Sequence, residues 1–179
     1  MIADQEWFSP TRTIGLAAYA ISSMVCAGRW MSCRKSGRSG RPFALLAAVQ
    51  LFLLLDMAFD WRWKIHGLFD QSAMTLGVYG ERRPPQVMAL LVLFGVLVLA
   101  AIWIYLRFRG RPGLAMAVTG TVLSVGVTCC EGISYHYVDL VFYHMIGSVM
   151  AVSLVWIGLA LFTCWGLLLD RRSQRRYRR

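Results

Sequence analysis

The chain has 179 residues, 58% of them apolar, a mean hydropathy of +0.54 and a formal net charge of +10. The apolar residues fall in long runs, which excludes an ordinary soluble domain and suits a bilayer bundle, where each crossing needs about 20 residues. The positive charge sits in short segments between those runs, which points to membrane topology and lipid headgroups and away from nucleic acid.

Five apolar stretches follow one another, predicting an all-α integral membrane bundle over residues 1–170 and a basic tail over 171–179. The first spans about 13–30, with Ser9 placed to cap it and Pro10 suited to its first turn. It is rich in small residues (GLAAYAISSMVCAG), as expected of a helix packed among others. Asp4 and Glu6 precede it where a secretion leader would be basic, so no cleaved leader is expected. The second stretch covers about 42–60, and its helical pattern runs on through WRWKIHGLF. The third, fourth and fifth cover about 85–107, 113–131 and 145–169, the third and fourth opening on Pro84-Pro85 and Pro112-Gly113. Cys26, Cys33, Cys129, Cys130 and Cys164 follow neither zinc-ligand nor disulfide spacing and read as small packing residues. The closing RRSQRRYRR reads as a flexible basic tail.

Orientation follows from the arginines. With five crossings, 14 of the 19 basic residues fall on one side, in the segments 29–41, 107–111 and 171–179, joined there by a single acid, Asp170. The positive-inside rule puts that side in the cytoplasm and the N-terminus outside. This predicts a multi-pass protein of a bacterial inner (plasma) membrane.

The polar residues that need a role lie toward the opposite face. Asp56, Asp60 and Lys64 recur at i, i+4 and i+8 and share one helical stripe. Asp56 falls inside the leaflet, where an ionised carboxylate needs a partner such as Arg62 or Lys64, or a cavity. In the fourth stretch Ala117, Thr121, Ser124, Thr128, Glu131 and Tyr135 form a small and polar stripe, which nominates that helix for the bundle centre. Arg82 and Arg83 lie against the charge bias and suit a phosphate, a carboxylate or an ion pair. Beyond Glu131, His136 and Asp139 are three apart and Tyr143 lies a further turn along, which places them on one face if that stretch is helical. His66, His136 and His144 all belong to this face, and with the carboxylates they make candidate ligands for a transition metal or, as an axial pair, for haem. No HExxH, CxxCH, triad order or phosphate loop accompanies them.

These residues predict one outward-facing polar site on a small, non-enzymatic membrane subunit. Its ligand would be a lipid, a quinone-like molecule or a partner protein, with a membrane-protein partner or a second copy as possible assembly. The alternative is a membrane-embedded redox or metal-dependent enzyme subunit using the histidines and carboxylates.

Overall fold

The computed structural model describes residues 9–37, 39–75, 77 and 83–176. In chain order these form α1 (Pro10–Lys35), α2 (Arg41–Phe59), α3 (Trp61–Thr75), α4 (Arg83–Phe108), α5 (Pro112–Ile133) and α6 (His136–Phe142). A hairpin of β1 (Met145–Ile146) and β2 (Val149–Met150) leads into α7 (Ala151–Arg176). Among the described residues four helices, α2, α4, α5 and α7, are long and apolar enough to cross a membrane. The fold is an all-α, multi-pass membrane bundle.

The start of α1 follows the expected chemistry. Ser9 Oγ accepts the Arg12 backbone N–H at 3.3 Å, and Pro10, which has no N–H to leave unpaired, opens the first turn. Three boundaries differ from the sequence expectation. The second stretch does not continue as one helix, because Asp60 takes a left-handed conformation (φ 55°) and α3 begins afresh at Trp61. Aspartate is among the few side chains that adopt this conformation readily. Asp56, Asp60 and Lys64 therefore do not form one stripe. The last helix begins at Ala151, not near 145, since Gly147 (φ +66°) turns the preceding residues into the hairpin. The basic tail is helical as far as Arg176, as the final turns of α7.

α5 is the central helix, touching α2, α3, α4, α6 and α7. Its small-residue stripe faces inward: Ala117, Thr121, Ser124 and Glu131 are all buried. The tightest seam is α5 against α7. A Cβ on Gly113 would sit 2.3 Å from the Asp170 backbone nitrogen, and one on Gly166 would sit 2.6 Å from that of Ala117. No side chain fits there, so glycine is what lets the two backbones meet. α4 leans on α5, where Leu97 covers Gly126, and Ile104 is its one buried residue among those described.

α1 is less apolar than the four spans but lies along the bundle's length. Arg12 bonds to the end of α2, and Arg29 bonds to Asp170 near the end of α7. The separation of these two residues corresponds to about 26 Å of helix. Between them Gly15, Ala18, Tyr19, Ser22 and Cys26 are buried. Near mid-helix Ser22 Oγ donates to Gln50 Oε1 (2.8 Å), and Gln50 Nε2 donates to Thr121 Oγ1 (3.1 Å), linking α1, α2 and α5.

The seam yields a paired test. Gly166→Ala should destabilise by about 1–3 kcal/mol, the cost of forcing atoms into a filled core, and lower the melting temperature in detergent. On the same helix Gly158 has no neighbour within 4 Å of a new Cβ, so Gly158→Ala should leave the melting temperature unchanged or slightly higher. Equal losses in both variants would mean that α5 and α7 do not meet at these glycines.

Candidate functional site: an arginine between two carboxylates beside a cavity

The break at Asp60 makes the site. Asp56, in the last turn of α2, accepts the Arg62 backbone N–H through Oδ1 at 3.0 Å and so satisfies a donor in the first turn of α3. From the other side Arg12 donates to the Ala58 carbonyl at 2.7 Å and pairs with Asp60 at 3.0 Å. Clamped in this way, the chain turns Arg62 into the bundle, where it is 8% exposed. Its Nε lies 3.2 Å from Asp56 Oδ2, and its Nη1 donates to Glu131 Oε2 of α5 in a direct ion pair. Nη2 contacts the Met57 sulfur at 3.3 Å, and the guanidinium lies over the Trp156 ring of α7, 5.8 Å from the centroid. One cation thus connects α2, α3, α5 and α7.

Beside Arg62 is a cavity of about 380 Å³. Arg12, Asp60, Arg62 and Glu131 supply its charged lining, and Met57, Met150, Val152, Trp63 and Trp156 supply apolar wall. Two buried donors in its lining, Tyr143 Oη and Trp156 Nε1, have no well-formed hydrogen bond among the described residues. Trp156 Nε1 lies beside Glu131 without hydrogen-bond geometry. Tyr143, which follows α6 and packs on Trp63 with ring centroids 6.0 Å apart, is held protonated. Burial above all, and then the nearby Glu131 and Asp139, push its phenol above the usual range.

The structure divides the residues that the sequence grouped together. Asp60, Arg62, Glu131 and Tyr143 line this cavity, with Asp56 directly behind Arg62. Arg83, His136 and Asp139 line a second cavity of about 320 Å³ with Gln86, Ser134 and Tyr135. There Ser134 Oγ donates to Asp139 at 2.8 Å, and Gln86 donates to the Ile133 and Ser134 carbonyls that end α5. Glu131 therefore pairs with Arg62 and not with Arg83. Lys64 is exposed on α3 and lines neither cavity, and Arg82 lies outside the described residues. His66 stacks edge-on to Trp63, while His136 and His144 are exposed. Among the described residues no three His, Cys, Asp or Glu side chains gather as a metal site.

Arg12, Trp63 and Trp156 belong to the site and were not singled out from the sequence. The signal available for Arg12 was its place among the few basic residues opposite the main positive face. The tryptophans carry no such mark. No protein-family model, curated protein or solved structure matches the chain.

The ion geometry makes a direct prediction. Arg62→Gln should cost about 3–5 kcal/mol, since it leaves two buried carboxylates without their cation. Combined with Glu131→Gln, the loss should fall short of the sum of the single losses by about 0.5–3 kcal/mol. The Arg83→Gln and Glu131→Gln pair should be additive. Thermal or denaturant unfolding in detergent measures all of these, and additivity at Arg62 and Glu131 would contradict the pairing.

Proposed function

We propose that the protein is a small, non-enzymatic subunit of a bacterial inner membrane that holds an amphipathic small molecule in the Arg62 cavity. In this reading α1 is a fifth crossing, the N-terminus and the Arg62 cavity lie on the outer side, and the C-terminus lies in the cytoplasm. Burial of α1 along the bundle and its bonds at both ends support the fifth crossing. The concentration of basic residues around 29–41, 107–111 and 171–179 supports the orientation. Arg29 and Arg111 from these neighbourhoods both pair with Asp170, so the basic segments share an end of the bundle.

The observation that carries the reading is the cavity itself. Ionisable groups buried at membrane depth are costly and mark functional positions. Here they border a space of ligand size with apolar walls and unused hydrogen-bond donors. The charged groups are engaged with one another, Arg62 with both carboxylates and Arg12 with Asp60. That arrangement suits a fixed binding wall better than proton transfer. The broad exposed apolar surface of α4, including Leu91, Phe94 and Leu99, suits lipid or another membrane subunit.

Two measurements test this. Reporter fusions after Ser36, Gly110 and Arg179 should report cytoplasm, and a fusion at Gly77 should report the outside; an external C-terminus would refute the topology. Solvent extraction and mass spectrometry of the purified protein should identify a retained amphiphile. Met150→Trp, which fills the cavity, should lose it while remaining monodisperse. Retention by that variant would place the ligand elsewhere.

A further inference from the structure

We infer that the cavity beside Arg62 selects amphiphiles with an uncharged carbonyl head, read by Tyr143 Oη and Trp156 Nε1. This rests on the cavity being a binding site and adds which chemistry it accepts.

The charges decide against the other heads. Three carboxylates, Asp56, Asp60 and Glu131, stand against two guanidiniums, Arg12 and Arg62, and each carboxylate has an arginine contact. An anionic head would meet surplus negative charge, and the nearest cations are already engaged. A cationic head would seek either a carboxylate or an aromatic face. The carboxylates are held by arginine, and the Trp156 face already has the Arg62 guanidinium over it. What remains unused is a pair of donors. Trp156 is 4% exposed and its Nε1–H, though beside Glu131, makes no well-formed hydrogen bond among the described residues, and the buried phenolic O–H of Tyr143 has no partner among them. A buried donor left without an acceptor is costly, and an indole N–H can only donate. Both residues line the cavity with their donor atoms covered, so a small turn of each side chain would bring its donor to an acceptor placed within it. A carbonyl oxygen, with two lone pairs and no charge, can accept from both donors. Met57, Met150 and Val152 give the attached apolar body its wall.

Two membrane sources supply that chemistry: the carbonyl of an isoprenoid quinone and the ester carbonyl of a neutral glycerolipid. Binding isotherms in detergent micelles with four probes separate the possibilities: an isoprenoid 1,4-benzoquinone, a diacylglycerol, oleate and hexadecyltrimethylammonium. At least one neutral carbonyl probe should bind tenfold or more tightly than either charged probe, and the tighter of the two neutral probes identifies the source. Tyr143→Phe should weaken that binding about 2–10-fold, the loss of one hydrogen bond, with the melting temperature of the free protein unchanged or raised. Trp156→Phe should weaken it comparably. Selection is refuted if a charged probe binds as well, or if both variants bind the neutral probe as the wild type does. The cavity reading survives that result when Met150→Trp still abolishes binding. Binding of none of the probes by the wild type overturns both.

Discussion

Arg62 must be neutralised before its end of the bundle can form, and the way this happens sets the local architecture. A guanidinium that is 8% exposed cannot stand alone in an apolar interior. Its two carboxylates come from different directions: Asp56 from the helix just left by the chain, and Glu131 from the centre of the bundle. Asp56 also accepts the Arg62 backbone N–H, so the residue that neutralises the side chain also secures the start of α3. The left-handed turn at Asp60 is what allows both bonds at once, and Arg12 holds that turn from α1. Such pairs add little net stability against an apolar replacement, while removing one partner is severe. Their effect here is to fix which elements meet, and the cavity forms beside that junction.

The other end is held by the inverse arrangement. Asp170 of α7, 3% exposed, takes Arg29 at 3.0 Å and Arg111 at 2.9 Å, and both arginines also lie over the Phe43 ring. Between the two ion clusters the bundle depends on close approach. Gly113, Gly120 and Gly166 bring α5 and α7 together, and the Ser22–Gln50–Thr121 bridge sets α1 and α2 against α5. In lipid, where apolar burial between helices brings little gain, tight packing and internal hydrogen bonds have to supply the association.

How much of this the sequence revealed differs from element to element. The apolar helices were legible because hydropathy over about 20 residues is a strong signal. The central role of α5 was legible from its small-residue stripe, and the need for a partner for Asp56, with Arg62, Lys64 or an arginine of the next loop as choices, followed from the cost of a carboxylate at that depth. The break at Asp60 was not, since a single positive φ leaves the surrounding apolar pattern intact. That break redirects every residue from Trp61 onward, which is why a shared stripe for Asp56, Asp60 and Lys64 failed. The partner of Glu131 was illegible for the same reason: only a chain that turns at Asp60 brings Arg62 to α5. Trp156 was hidden because each residue of an apolar helix looks alike until its neighbours define the inner face.

The two ion clusters differ in sign, and that difference has consequences beyond stability. At the Arg62 end carboxylates outnumber guanidiniums, three to two, among Asp56, Asp60, Glu131, Arg12 and Arg62; at the Asp170 end two guanidiniums share one carboxylate. The second end lies among the basic segments, including exposed Arg34, Arg107, Arg109 and Arg171. A surface of that charge suits anionic headgroups. The cavity end offers an anion no such attraction, so under the proposed function charged lipid and cavity ligand would be sorted to opposite ends of the molecule. With the arginines already engaged, the proposed selectivity of the cavity falls to its neutral donors, and Tyr143 and Trp156 are where it can be read.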